Sequence, residues 1–266
     1  MISKPLFKAT IKQNLIVMLI IIGALMLYLP IIISMYNPEM QDSLNEVLEL
    51  FPEQFLAAMG FSAASNDLLN FVATYFYGFL ILLLPMIFTI VAANRAIASH
   101  VDKGSMAYLL STPNTRSKIA ITQAVYLLMS ITFIISLVTI VGIIISQILY
   151  PGELDVKRFI ILNLGVLLLY YSLTGLSFFA SCSFNDTKDS LMLGAGLPVA
   201  FLLLHMLSNV GESAEFLKYF TIYTLFDPAK ITSGNGYGGS FLILGILAIC
   251  FYIAGIISFK KRDLPL

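Results

Sequence analysis

The chain has 266 residues, 59% of them hydrophobic and 11% charged, with a mean hydropathy of +0.92. Soluble globular domains carry roughly a quarter of their residues as charges, so a water-soluble protein is excluded and a bilayer protein is described. Basic and acidic residues number 15 each and leave no net charge, so the position of each charge along the chain is what informs, and no nucleic-acid partner is expected.

At about 20 apolar residues per crossing, the length accommodates about six helical spans with short loops, a single transmembrane domain over residues 1–266. Residues 2–14 place Lys4, Lys8 and Lys12 four apart beside Ile2, Leu6, Phe7 and Ile11, the pattern of a short interfacial helix lying on an anionic leaflet. The first apolar run, about 15–35, is too long for a signal-peptide core and has no cleavage pattern after it, so it reads as a retained span. An acidic loop follows over 36–70, where Leu44, Val47, Leu48 and Phe51 precede Pro52, and Phe55, Leu56 and Met59 follow it. This spacing predicts two short amphipathic helices broken at the proline.

The second run, about 71–93, opens on Tyr75, Phe76 and Tyr77 at the interface and carries Pro85, expected to kink it near its middle. Residues 94–118 then combine Arg95, Lys103, Arg116 and Lys118 with the apolar anchors Met106, Leu109 and Leu110, punctuated by Gly104 and Pro113. That arrangement predicts a short amphipathic helix over 104–111 held between two spans.

The third run, about 119–149, has a small-polar stripe at Thr132, Ser136, Thr139 and Ser146, suited to helix packing. The fourth, about 159–181, holds Tyr170 and Tyr171 near its middle. In the fifth, about 191–210, Gly194, Gly196 and Pro198 allow close approach and bending, and His205 is the one ionisable residue within the spans, a functional candidate by default. An aromatic loop over 211–240, with Phe216, Tyr219, Phe220, Tyr223 and Phe226, is expected to dip into the interface before the sixth run, about 241–259.

With a cytoplasmic N-terminus, Lys4, Lys8, Lys12, Arg95, Lys103, Arg116, Lys118, Lys188, Lys260, Lys261 and Arg262 fall inside, and only Lys157, Arg158, Lys218 and Lys230 outside. Basic residues accumulate on the cytoplasmic side of membrane proteins, so both termini are expected there. No Walker A motif or Gly-Lys pair occurs, so ATP, if used, is held by another subunit. His100 and His205 form no HExxH arrangement, and Cys182 and Cys250 no CxxC; neither metal nor disulfide is implied. A Ser177–His205 hydrolase pair is excluded because the two would differ in depth by roughly 18 Å. The spans also lack the acidic and basic ion-binding residues of a secondary carrier.

Residues 97–116, IASHVDKGSMAYLLSTPNTR, resemble the pattern of type-2 ABC exporter permeases: an acidic stretch, Gly-Thr, Leu-Leu-Ser-x-Pro and an arginine. LFPEQFLAAMG at 50–60, LFDPAKI at 225–231 and FKKRDL at 259–264 support the resemblance. His100 and Ser105 stand where the family pattern has a glutamate and a threonine. The resemblance implies an all-α polytopic bacterial cell-membrane protein of six spans, no catalytic residues, and no cofactor of its own. ATP and magnesium would be bound by a partner ABC ATPase, and a second permease, identical or related, would complete the transporter in the bilayer.

The resemblance further makes 104–111 the coupling helix. Leu109 and Leu110 would fill an apolar groove on the ATPase, Tyr108 would anchor its edge, Asp102, Lys103 and Arg116 would set register, and Gly104 and Pro113 would bound the helix. Tyr75, Thr89 and His205 become candidates for a route along the second and fifth spans, carrying an amphipathic peptide or hydrophobic small molecule outward. A non-transporting membrane anchor or sensor that regulates a partner is the alternative.

Overall fold

The computed structural model describes residues 2–37, 47–61, 67–112 and 114–264. Its elements are helical throughout, with no strand among the described residues. Five helices are long and apolar enough to cross a membrane, and a bent pair, 47° apart, makes a sixth crossing if counted as one.

α1 (Lys4–Met35) runs unbroken for 32 residues, about 48 Å. The separate interfacial helix expected over 1–14 is therefore the first part of this longer helix. No glycine or proline interrupts the junction, and its polar residues bond within the helix: Thr10 Oγ1 donates to Leu6 O at 2.9 Å and Asn14 Nδ2 to Thr10 O at 3.1 Å. Of the two helices expected around Pro52, the second forms as α2 (Glu53–Ala58), starting directly after that proline. Of the first, Leu44 lies outside the described residues, while Val47 and Leu48 are helical and the turn closes where Leu50 N donates to Val47 O at 3.3 Å and Phe51 N to Leu48 O at 3.0 Å, just before the proline.

The bent pair is α3 (Leu68–Tyr75) and α4 (Leu80–Ala96). α4 is continuous through Pro85, and the crossing breaks earlier, at 76–79. Gly78 explains it: a Cβ there would lie 2.4 Å from Thr74 O and 2.9 Å from Met59 O, so only glycine lets the chain turn against these two backbone oxygens. Pro85 leaves Ile81 O without an amide donor, and Tyr170 Oη replaces it, 2.9 Å from Ile81 O and 2.6 Å from Leu82 O. With the carbonyl satisfied, α4 runs on through its proline.

Two short helices follow, α5 (Ala98–Asp102) and α6 (Ser105–Ser111). α7 (Arg116–Leu149) is one helix of 34 residues, capped where Thr115 Oγ1 accepts from Lys118 N at 3.2 Å. α8 (Val156–Ser183) is the hub: 67% of its most apolar stretch is buried within the chain, against 33% or less for the other four long helices. It packs on α4, α7 and both of the last two crossings. α9 (Thr187–Gly194) and α10 (Gly196–Ser208) form the fifth crossing, interrupted at Ala195. Pro198 frees Gly194 O as Pro85 frees Ile81 O, and Ser177 Oγ of α8 donates to it at 2.6 Å. Two 3-10 helices (Glu212–Phe220 and Ile222–Leu225), α11 (Pro228–Ser233) and α12 (Gly238–Lys261) complete the chain. α8 and α12 approach closely because Gly175 lies under Phe251 and Tyr252, and Gly255 under Phe178.

Both termini reach one face of the bundle. There Ser3 N donates to Thr122 Oγ1 at 2.9 Å, Arg95 Nη1 to Gln13 O at 3.1 Å, Arg116 Nη1 to Arg262 O at 2.6 Å, and Arg262 Nη1 to Phe184 O. On the opposite face Tyr150 Oη bonds Tyr36 O, and Arg158 Nη1 donates to Thr232 O at 2.6 Å.

Candidate functional site

On the termini-bearing face, α5 and α6 form a small rigid unit. Ala98 N donates to Ser181 Oγ of α8 at 2.9 Å, anchoring α5 to the bundle. The chain then turns at Gly104, whose φ of 69° lies in the left-handed region, so α6 begins at Ser105 rather than at the glycine. His100 Nδ1 lies 2.9 Å from Ser105 Oγ, and that hydroxyl is also 3.2 Å from His100 O, stapling the two helices across the turn. The two residues that depart from the family pattern thus contact one another. Burial, with Lys103 adding to it, holds His100 below the usual imidazole range.

Met106 is fully buried, and Leu109 and Leu110 are half-buried against the chain's own core. Tyr108 projects outward, 80% exposed, flanked by exposed Asp102 and Lys103. Among the described residues all three ion pairs lie on the opposite face, which leaves Asp102 and Lys103 unpaired. Arg116 is turned to the C-terminal segment, where it holds Arg262 O. Pro113 lies outside the described residues. The sequence pattern located α6 but missed α5, a single turn with no punctuation of its own.

The three route candidates are not brought together. Tyr75 packs its ring 4.7 Å from Phe71 and 5.1 Å from Phe61, beside an apolar cavity of about 250 Å³ between α1 and the bend. Thr89 is buried, its Oγ1 3.2 Å from Thr174 Oγ1; it joins α4 to α8 and faces no open space. His205 lies on a separate cavity of about 850 Å³, its ring stacked on Tyr223 with centroids 6.1 Å apart. Its Nδ1 is buried with no partner among the described residues.

That larger cavity lies on the face opposite the termini, between the α3–α4 break, the end of α10 and the folded segment 211–233. Asn70, Thr74, Ser208, Asn209 and Thr224 give it a polar wall. Two self-neutralised ion pairs, Glu215 with Lys218 and Asp227 with Lys230, border it. The aromatic loop divides: Phe216, Tyr219 and Phe220 are exposed, while Tyr223 and Phe226 are buried and fold the segment back onto α4, Tyr223 Oη reaching Met86 Sδ at 3.3 Å. Aromatic spacing alone did not distinguish the two sets. Ser177, considered with His205 as a hydrolase pair, spends its hydroxyl on Gly194 O.

Apolar crossings, buried connecting hydroxyls and a small helical unit on the termini-bearing face define a polytopic helical membrane protein. Residues 2–264 match the family described as ABC-2 family transporter protein, and the chain belongs to that family. It is accordingly a membrane-embedded permease subunit, and the family implies an ATPase partner. No curated protein and no solved structure matches it.

Proposed function

We propose that the chain is the permease of an ATP-driven exporter in a bacterial cell membrane, working beside a second permease and moving an amphipathic peptide or hydrophobic small molecule outward. The termini-bearing face is cytoplasmic in this reading, and the α5–α6 unit is the contact that receives the ATPase stroke. One observation carries it: the unit is fixed to α8 at Ala98, stapled at His100 and Ser105, and presents an exposed Tyr108. A braced helix transmits a push that a loose loop would absorb.

The chain supplies no catalytic group; ATP and magnesium belong to the partner. The route follows α3–α4 and α10, with Tyr75 beside the bend and His205 at the outer cavity, while Thr89 holds α4 on α8. Co-expression with a candidate ABC ATPase tests the reading: a stable complex is expected, with hydrolysis stimulated by transported cargo and cargo accumulating outside. A chain that regulates a partner in the absence of any ATPase complex or cargo movement would replace transport with the anchor or sensor reading.

A further inference from the structure

The outer cavity of about 850 Å³ is a cup with a closed floor. Tyr77 and Phe226 are buried beneath it, and Tyr77 is tied to α8, its Oη donating to Asn163 Oδ1 at 2.8 Å. Glu215, Tyr219, Ala229 and Lys230 are exposed around its mouth. Sites of roughly 300–1,000 Å³ take ligands of drug size, which is the bulk of a few amino-acid residues.

Its wall holds hydrogen-bonding groups that are both reachable and unspent. Among the described residues nothing bonds the Thr74 hydroxyl or the Asn209 carboxamide, the first on a half-buried residue and the second on an exposed one. Asn70 Nδ2 donates to Asp67 Oδ2 at 2.9 Å, which leaves Asn70 Oδ1 as a further acceptor. A hydrocarbon seated here would strand these groups, at a cost for each. An ion would find no counter-charge, because Lys218 is paired with Glu215 and Lys230 Nζ lies 3.1 Å from Asp227 Oδ2. The occupant that suits this wall is neutral and carries both donors and acceptors.

Two chemistries meet that description, the hydroxyls of a sugar and the backbone of a peptide. Tyr77 and Phe226 are 0% and 1% exposed and present no ring face on which a sugar could stack, and Lys218 already lies over the Tyr219 ring, 5.5 Å from its centroid. A peptide group, by contrast, is one donor beside one acceptor, the same pair that the Asn209 carboxamide presents. Beside the cavity the 3-10 helix Glu212–Phe220 exposes Phe216, Tyr219 and Phe220, an apolar rim for side chains that the polar wall does not suit.

We infer that the cavity binds a short, uncharged stretch of peptide backbone, held by Asn70, Thr74 and Asn209, with its apolar side chains laid on the aromatic rim. This deepens the export reading and rests on it for the outward orientation of the face and for the cargo, choosing peptide over hydrophobic small molecule.

The probe is N-acetyl-Leu-Gly-Gly-Leu-amide, neutral and capped at both ends, titrated by saturation-transfer NMR against the full chain in phosphatidylcholine nanodiscs, with empty nanodiscs as the blank. Saturable binding above the blank is expected. Replacing the Gly-Gly amide of the probe by an ester removes one N–H donor and should weaken binding about two- to tenfold, and maltose should not compete. Thr74→Val and Asn209→Leu, each close in size to the original, should also weaken it about two- to tenfold, while Ala229→Trp should block the mouth. Unchanged circular dichroism checks that the variants fold, and the two near-isosteric ones remain decisive if Ala229→Trp does not. Binding no greater than the blank, equal affinity for the ester, displacement by maltose, or indifference to both Thr74→Val and Asn209→Leu would overturn the site. A permease that binds the peptide but forms no ATPase complex would keep the site and lose the export reading, whereas one that exports cargo without binding the peptide would lose the site alone.

Discussion

Tyr170 and Ser177 give the hub helix its function at the scale of single residues. Each hydroxyl sits on α8 and satisfies a carbonyl that a proline on a neighbouring helix has freed, Ile81 O for Pro85 and Gly194 O for Pro198. In a bilayer no water can substitute, which is why prolines are tolerated in crossing helices only where a neighbour supplies the bond. Tyr170→Phe should cost about 1–3 kcal/mol of stability, read as a lower unfolding midpoint in detergent. The cause is tested by adding Pro85→Ala, which returns an amide donor to Ile81 O; the cost of Tyr170→Phe should then shrink markedly. An equal cost in both backgrounds would mean that Tyr170 acts through packing alone. The prolines and the two hydroxyls were legible in the sequence, but not their pairing, since Tyr170 and Ile81 lie 89 positions apart, Ser177 and Gly194 lie 17 apart on different helices, and the two pairs share no periodicity. The carbonyl that Pro85 frees follows from local chemistry, whereas the hydroxyl that satisfies it, and lets the helix continue through the proline, is tertiary.

Among the elements, long crossings were well marked by hydropathy, while their irregularities were not. Nothing in residues 2–35 signals whether a basic amphipathic stretch ends before the span or continues into it, and the internal bonds of Thr10 and Asn14 decide for continuity. The break in the second crossing follows from Gly78 meeting Met59 O of the preceding loop, a contact that no window of local sequence contains. The α5–α6 unit shows the same division. Gly104 and the leucines announced a helix, yet Leu109 and Leu110 lean on the chain's own core and Tyr108 is the exposed residue. In the proposed complex Tyr108 is accordingly the anchor that enters the ATPase. Tyr108→Ala should weaken association by about 2 kcal/mol or more, the usual cost of truncating a central aromatic, without lowering the permease's own stability. Leu109→Ala with Leu110→Ala should chiefly destabilise the unit itself, and Lys103→Ala, an exposed charge, should do little beyond slowing association. Affinity measured on the purified subunits separates these effects, and an unchanged affinity for Tyr108→Ala would move the contact elsewhere.

For the whole molecule, the question is which face looks into the cell. Eleven of the fifteen basic residues lie on the termini-bearing side, and three of them are built into it: Arg95, Arg116 and Arg262 each donate to a backbone carbonyl there. The opposite side carries the three ion pairs, in which Arg158, Lys218 and Lys230 are matched locally by Asp155, Glu215 and Asp227. Since basic residues are what bias orientation during insertion, the termini should be cytoplasmic. The charge pattern was legible in the sequence; the cavity it faces was not, because the fold-back of residues 211–233 depends on burying Tyr223 and Phe226 while leaving Phe216 and Tyr219 exposed. Single cysteines placed in a chain lacking Cys182 and Cys250 test the orientation at positions that are exposed in the fold. Glu215→Cys should react with a membrane-impermeant maleimide in intact cells, whereas Ser111→Cys and Asp263→Cys should react only after the membrane is opened. Reaction of Ser111→Cys from outside would invert the molecule, place Tyr108 where no cytoplasmic ATPase could meet it, and remove the basis for a coupling role of α6.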